Sequence, residues 1–209
     1  MTRALLLVDL QNDYLRDARL DPPAGELVRR AAALLDAWRG RELPVLHART
    51  TISATGEDRM PHWRTAGRRR CVEGTPGHDP PSALRPRRGE RCFDKTYFSA
   101  FSDPSLARAL DEIEARELVI CGVHLHGCVR ATALDAYADG LRVVIAADAT
   151  GDYDGLHAAV SRTWLGGREI AFRSVAELTG RGQAGSVGDA SRRASETASE
   201  ARRAGVRWA

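Results

Sequence analysis

The stretch from Leu118 to Thr150, LVICGVHLHGCVRATALDAYADGLRVVIAADAT, restricts the fold more than any other part of the chain. Leu118–Cys121 is a short, apolar, β-branched run, the pattern of a buried strand. Gly122–Gly127 is a tight connection. From Cys128 to Tyr137, Val129, Ala133 and Ala136 recur at helical spacing, and Gly140 supplies the stop. Leu141–Ala147 is again a continuous apolar run. Strand, short loop, helix and second buried strand make a βαβ unit with parallel strands.

Cys128 falls where the loop becomes the helix. Free backbone N–H groups and the positive end of the helix dipole favour an anion there, so the thiol has a reason to ionise near neutral pH. A free cysteine is more commonly a small, inert, buried hydrophobe. Place alone therefore does not make Cys128 a nucleophile, and other reactive groups have to be found.

Composition points to one of them. The chain has 31 basic side chains, and a single one, Lys95, is lysine. A chain that writes arginine wherever a cation suffices keeps lysine where a compact point charge, rather than a broad planar fork, is needed. Lys95 follows Asp94 at the end of a short strand, Arg91–Phe93. A third group is Asp9, at the carboxyl end of the apolar strand Ala4–Val8. Ligands of parallel α/β sheets bind outside the carboxyl ends of the strands, so Asp9, Lys95 and Cys128 are placed to meet. The alternative role of Asp9 is to cap a turn.

The remaining pattern fills in an α/β fold. Ala24–Arg39 reads as a helix with Leu27, Ala31, Leu34, Leu35 and Trp38 on one stripe, closed by Gly40. Pro44–Ala48 is a strand. Arg49–Gly89 is a long irregular stretch rich in Gly, Pro and Arg, of the length that usually carries function, and it is expected to cover the site. Asp103–Pro104 caps a helix with Leu106, Ala109, Leu110 and Ile113 inward. A helix over Gly155–Leu165, a strand near Glu169–Phe172 and a short helix over Ser174–Leu178 complete the core. The pattern predicts a three-layer αβα domain over residues 1–178 with a six-stranded, mostly parallel sheet of Rossmann-like topology. Residues 179–209 form a Gly-broken, Ala/Ser/Glu/Arg-rich extension, helical or disordered.

Bulk properties narrow the function. Hydrophobic and charged shares of 43% and 28% are those of a soluble globular protein. No apolar run reaches a membrane span, and the N-terminal apolar run is too short for a secretory signal, which places the protein in the cytoplasm. The four cysteines contain no C-x-x-C pair and give no disulfide framework. The net charge of +3 is mild; Arg68–Arg70 lacks the aromatic interleaving of a nucleic-acid surface and reads as a solvated face.

Asp9, Lys95 and Cys128 form a workable set: a thiolate nucleophile, an ammonium that stabilises it, and a carboxylate that takes the thiol proton and returns it to a leaving amine. Backbone N–H groups at the helix start can hold an oxyanion.

The motifs that carry these residues resemble those of the isochorismatase-like cysteine hydrolases, a family that includes nicotinamidases and N-carbamoylsarcosine amidase. They are Val8-Asp9-Leu10-Gln11-Asn12-Asp13-Tyr14; Glu73-Gly74-Thr75-Pro76-Gly77; Asp94-Lys95 with Tyr97, Ser99, Ala100 and Phe101; Gly122-Val123; Gly127-Cys128-Val129-Arg130-Ala131-Thr132-Ala133-Leu134-Asp135-Ala136; and Asp148-Ala149, in order over residues 4–178. The resemblance implies Asp9, Lys95 and Cys128 as a catalytic triad. It implies a cis peptide between Val123 and His124 that presents the His124 N–H to an oxyanion beside that of Cys128. It also implies no cofactor, a small-molecule substrate and a homo-oligomer, dimer or tetramer. Gln11, Tyr14, Trp63, Tyr97 and His126 are the expected substrate contacts.

The departures are informative. Leu125 stands where the family commonly has threonine. His47-Ala48-Arg49-Thr50-Thr51 lacks the Asp-x-His pair with which nicotinamidases hold a metal, so nicotinamide is disfavoured as the substrate. His124, His126 and Cys128 have H-x-H-x-C spacing, but no further ligand is apparent, and no metal is expected. The expected activity is hydrolysis of a C–N bond in a small amide, carbamoyl or lactam substrate through a Cys128 thioester. The alternatives are a vinyl-ether hydrolase of isochorismatase type with Asp9 as general acid, and a non-enzymatic thiol sensor.

Overall fold

A computed structural model describes residues 2–180 of the chain. Its elements in order are β1 (Thr2–Val8), α1 (Asn12–Leu15), α2 (Ala24–Arg39), β2 (Val45–Thr50), α3 (Pro61–Thr65), β3 (Arg91–Lys95), α4 (Pro104–Glu112), β4 (Ala115–Val123), α5 (Arg130–Ala138), β5 (Arg142–Gly151), α6 (Gly155–Gly166), β6 (Ala171–Arg173) and α7 (Val175–Thr179). The strands form one six-stranded sheet in the order β3-β2-β1-β4-β5-β6, and every neighbouring pair is parallel. One compact unit reaches Val175 and a second begins at Ala176. The extension expected from residue 179 lies almost wholly outside the described residues.

The central strands are apolar because both faces are covered. Leu5, Leu6 and Val8 of β1 and Leu118, Val119, Ile120 and Cys121 of β4 are fully buried. Side chains alternate between faces. Ala4, Leu6 and Val8 share a core cluster with Leu106, Ala109 and Leu110 of α4 and Ala133 and Ala136 of α5. On the other face Arg3 lies over the Trp38 ring of α2. Burial of each large aliphatic side chain contributes about 1.5–3 kcal/mol, which is what holds the layers together.

The strand order reverses between β1 and β4. From β1 the chain winds outward through β2 and β3, then returns to β4 on the other side. Such a switch point opens a crevice at the carboxyl ends of the two strands. Val8, the last residue of β1, is in register with Ala48 of β2 and Gly122 of β4. Gly122 has φ 135°, and a Cβ there would fall on the carbonyl oxygen of Val8, so only glycine lets the two strand ends lie this close.

Several boundaries differ from those read off the sequence. The helix after β4 does not begin at Cys128. A π-turn over Leu125–Val129 precedes α5, with the Val129 N–H donating to the His124 carbonyl (3.2 Å) and the Arg130 N–H to the Leu125 carbonyl. β4 and β5 run longer than their apolar cores, and β6 and α7 lie one or two residues later than expected. Two short helices, α1 and α3, were not anticipated; at four and five residues they are too short to show a period.

Candidate active site

Three side chains from three strand ends converge at the crevice. Asp9 follows β1 with a left-handed backbone, φ 54°, a conformation aspartate tolerates better than most residues. Lys95 closes β3 and is in register with Thr50, the last residue of β2. Cys128 sits in the π-turn after β4. β3 lies two strand spacings from β1, about 10 Å, and the Lys95 side chain crosses that gap. Its Nζ donates to Asp9 Oδ2 at 2.7 Å, to Thr50 Oγ1 at 3.0 Å and to the Tyr97 carbonyl at 3.1 Å, and lies 3.5 Å from Cys128 Sγ. Asp9 Oδ1 accepts from the Thr50 N–H (2.8 Å) and the Thr50 hydroxyl (3.0 Å). The side chains of Lys95 and Asp9 are 0% and 1% exposed, so the ion pair is closed off from bulk solvent.

Burial works against the charge on Lys95, but the Asp9 carboxylate and Cys128 outweigh it and hold the ammonium above its ordinary range. For Cys128 the balance runs the other way. Burial pushes the thiol well up, Asp9 pushes in the same direction, and Lys95 only partly offsets them. This corrects the expectation that the helix start would ionise Cys128 near neutral pH. The terminal dipole is a small effect beside removal of the sulfur from water and the nearby carboxylate. The sulfur is a thiol next to a carboxylate.

The isochorismatase domain matches residues 3–163. The chain belongs to the isochorismatase family. It is 33% identical to a streptothricin hydrolase of Streptomyces noursei over 73% of this chain, and it spans 50% of the length of that relative. It is 30% identical to the maleamate amidohydrolase of Pseudomonas putida, with 71% of this chain and 72% of that protein covered. An isochorismatase family protein of Desulfovibrio vulgaris superposes with a TM-score of 0.77 at 28% identity, covering 85% of this chain and 96% of that one.

The family fold places the other residues singled out in the sequence unequally. Tyr14 is buried, donates to Thr50 Oγ1 (3.1 Å) and meets the rings of Trp63 (6.4 Å between centroids) and His124 (5.4 Å). His124 is almost fully buried, and burial lowers its pKa to about 4, so the ring is neutral. The peptide between Val123 and His124 is cis. His126 turns its Nδ1 to Asp152 (2.6 Å), which also accepts the His126 backbone N–H (2.8 Å). Gln11 is committed to backbone: its amide bonds the Thr50 N–H, the Thr50 carbonyl and the His78 carbonyl. It braces the floor under Asp9. Tyr97 is 57% exposed, and its carbonyl reaches the cluster. The Trp63 ring against Tyr14, and the Gly77 and Asp79 carbonyls, which accept from the Asp13 and Asn12 N–H groups, place the segment between β2 and β3 against α1.

Three neighbours went unnoticed in the sequence. Thr50 joins Asp9, Lys95 and Tyr14. Asp152 orients His126, and the Tyr153 ring stands edge-on to His124 (4.7 Å) and His126 (5.2 Å). Thr50 and Asp152 lie at the carboxyl ends of β2 and β5, beyond the apolar runs Pro44–Ala48 and Leu141–Ala147, so the rule that singled out Asp9 stops short of them. Among the described residues, no group of three or more His, Cys, Asp or Glu side chains is arranged to hold a metal ion, and no helix is long and apolar enough to cross a membrane.

Proposed function

We propose that this protein hydrolyses a C–N bond of a small amide, carbamoyl or lactam substrate through a thioester on Cys128. The observation that carries the reading is the meeting of Asp9, Lys95 and Cys128 from three separate strand ends within hydrogen-bonding range. The thiol proton passes to Asp9 as Sγ attacks the carbonyl carbon. The resulting oxyanion is held by the backbone N–H groups of His124 and Cys128. Asp9 gives the proton to the leaving nitrogen, the C–N bond breaks, and the acyl group stays on sulfur. Asp9 then takes a proton from water, whose oxygen attacks the thioester, and returns it to the departing sulfur. Lys95 stays charged throughout and offsets the negative charge that moves between Asp9 and Cys128.

The names of the relatives, a streptothricin hydrolase and a maleamate amidohydrolase, agree with hydrolysis of this kind. Tyr14, Trp63, His124, His126 and Tyr153 form the wall against which substrate would lie. An ammonia- or amine-release screen over carbamoyl amino acids, ureido acids, half-amides of dicarboxylic acids and lactams tests the proposal. With a turned-over substrate, rapid acid quenching followed by peptide mass mapping should find the acyl group on Cys128. Turnover that persists in Cys128→Ala refutes the thioester. Activity of that variant on isochorismate would instead favour an acid-catalysed vinyl-ether hydrolysis by Asp9.

A further inference from the structure

Counting hydrogens at the cluster assigns a role to Thr50. The Lys95 ammonium has three hydrogens and four acceptors in reach: Asp9 Oδ2 at 2.7 Å, Thr50 Oγ1 at 3.0 Å, the Tyr97 carbonyl at 3.1 Å and Cys128 Sγ at 3.5 Å. The sulfur is the farthest and is left with the weakest share. The Thr50 hydroxyl has one hydrogen and three neighbours. Asp9 Oδ1, an acceptor only, lies at 3.0 Å, so that hydrogen goes to Asp9. Lys95 donates to Oγ1, and with its hydrogen committed, Oγ1 must also accept from the Tyr14 phenol at 3.1 Å. Tyr14 is buried, and burial together with Asp9 and Cys128 holds its pKa well above the ordinary value, so its proton stays in place. Thr50 Oγ1 is therefore fully used, giving one hydrogen bond and taking two, and Gln11 fixes its backbone.

We infer that Thr50 is a positioning residue: its hydroxyl takes one of the three ammonium hydrogens of Lys95 and gives its own to Asp9, and so holds both groups back from the Cys128 sulfur. Both actions restrain the sulfur. The ammonium is held off the thiolate that it would stabilise, and the carboxylate is made a weaker base toward the thiol. When the thiol proton reaches Asp9 during attack, the carboxylate charge that holds Lys95 disappears, and the ammonium is released to the sulfur at the moment it becomes charged. The other titratable groups facing this cluster are Tyr14 from α1, Cys71 from the segment after α3, and His124 from the end of β4. None of them offers a second cation.

The inference rests on Cys128 as the reactive thiol, but its test needs no substrate. The rate of alkylation of Cys128 by iodoacetamide, read by peptide mass mapping from pH 6 to pH 10, reports the thiolate. Removing the hydroxyl in Thr50→Val should make the thiol more acidic and so raise the alkylation rate throughout this range. For a drop of one unit, the neutral-pH rate rises about threefold to tenfold once the lower nucleophilicity of a more acidic thiol is counted. Thr50→Ser should keep the wild-type profile. With a turned-over substrate, kcat should fall about tenfold or more in Thr50→Val while KM holds, and serine should restore it. Thr50→Ala gives the same reading if valine does not fold. A folded valine or alanine variant with unchanged or slower alkylation overturns the inference, as does a serine variant whose profile departs from wild type. If no amide is hydrolysed but the alkylation profile shifts as described, the proposed reaction fails and the role of Thr50 stands.

Discussion

Replacing Lys95 by methionine removes a charge from a place where its partner cannot be hydrated. The Lys95 and Asp9 side chains are 0% and 1% exposed and 2.7 Å apart. Methionine fills similar volume, so the cost comes from the stranded Asp9 carboxylate rather than from a cavity. Breaking one half of a buried pair costs about 3–5 kcal/mol. At about 2–4 °C per kcal/mol for a chain of this size, the melting temperature should fall by about 6–20 °C. Asp9→Asn should be similarly destabilised, and the double variant Asp9→Asn/Lys95→Met should cost less than the sum of the two, with a coupling of about 1–3 kcal/mol. Lys95→Arg keeps the charge but inserts a planar fork where a tetrahedral ammonium meets acceptors from several directions, so it should fold and fail to catalyse. Urea denaturation of the four chains with wild type gives these numbers. A Lys95→Met cost below about 1 kcal/mol, or single-variant costs that simply add, would refute the closed ion pair on which the site is built.

Other expectations follow from single features. Lys95 works against burial at Cys128, so Lys95→Met should slow iodoacetamide alkylation at neutral pH, the reverse of Thr50→Val; a faster reaction would show that the ammonium does not stabilise the thiolate. Glu90 accepts from Arg39 (2.7 Å), His47 (2.8 Å) and the Arg87 N–H (2.9 Å); burial opposes its charge, but these donors hold its pKa at about 2, against an ordinary 4.5. Its stabilisation is therefore complete above about pH 4.5 and is lost as the pH falls toward 2, and Glu90→Gln should flatten that part of the stability–pH curve measured by urea unfolding. Gly122→Ala should cost about 3–5 kcal/mol, because the added methyl group falls on β1 backbone that cannot yield; a variant as stable as wild type would mean that the two strand ends lie farther apart.

The fold was legible because the central strands are buried on both faces and so are written as unbroken apolar runs. The cluster was legible because its three members stand at the ends of such runs, and because a chain rich in arginine retains Lys95. The details that set the chemistry were not. A π-turn bonds residues five apart and leaves no repeat across Leu125–Val129. Thr50 is one hydroxyl among many until its register with Lys95 is known. The state of the thiol is not legible in the sequence for a physical reason: the sequence shows a helix start near Cys128, whereas the desolvation and the Asp9 charge that outweigh it exist only once the chain is folded.

The convergence of an acid, an amine and a sulfur at one edge of the sheet is tested most directly by amine release from wild type and Cys128→Ala side by side on the same substrate. With far-ultraviolet circular dichroism and melting unchanged, the alanine variant should release no amine above the uncatalysed background. Release at a rate near that of wild type from a folded Cys128→Ala protein would contradict it.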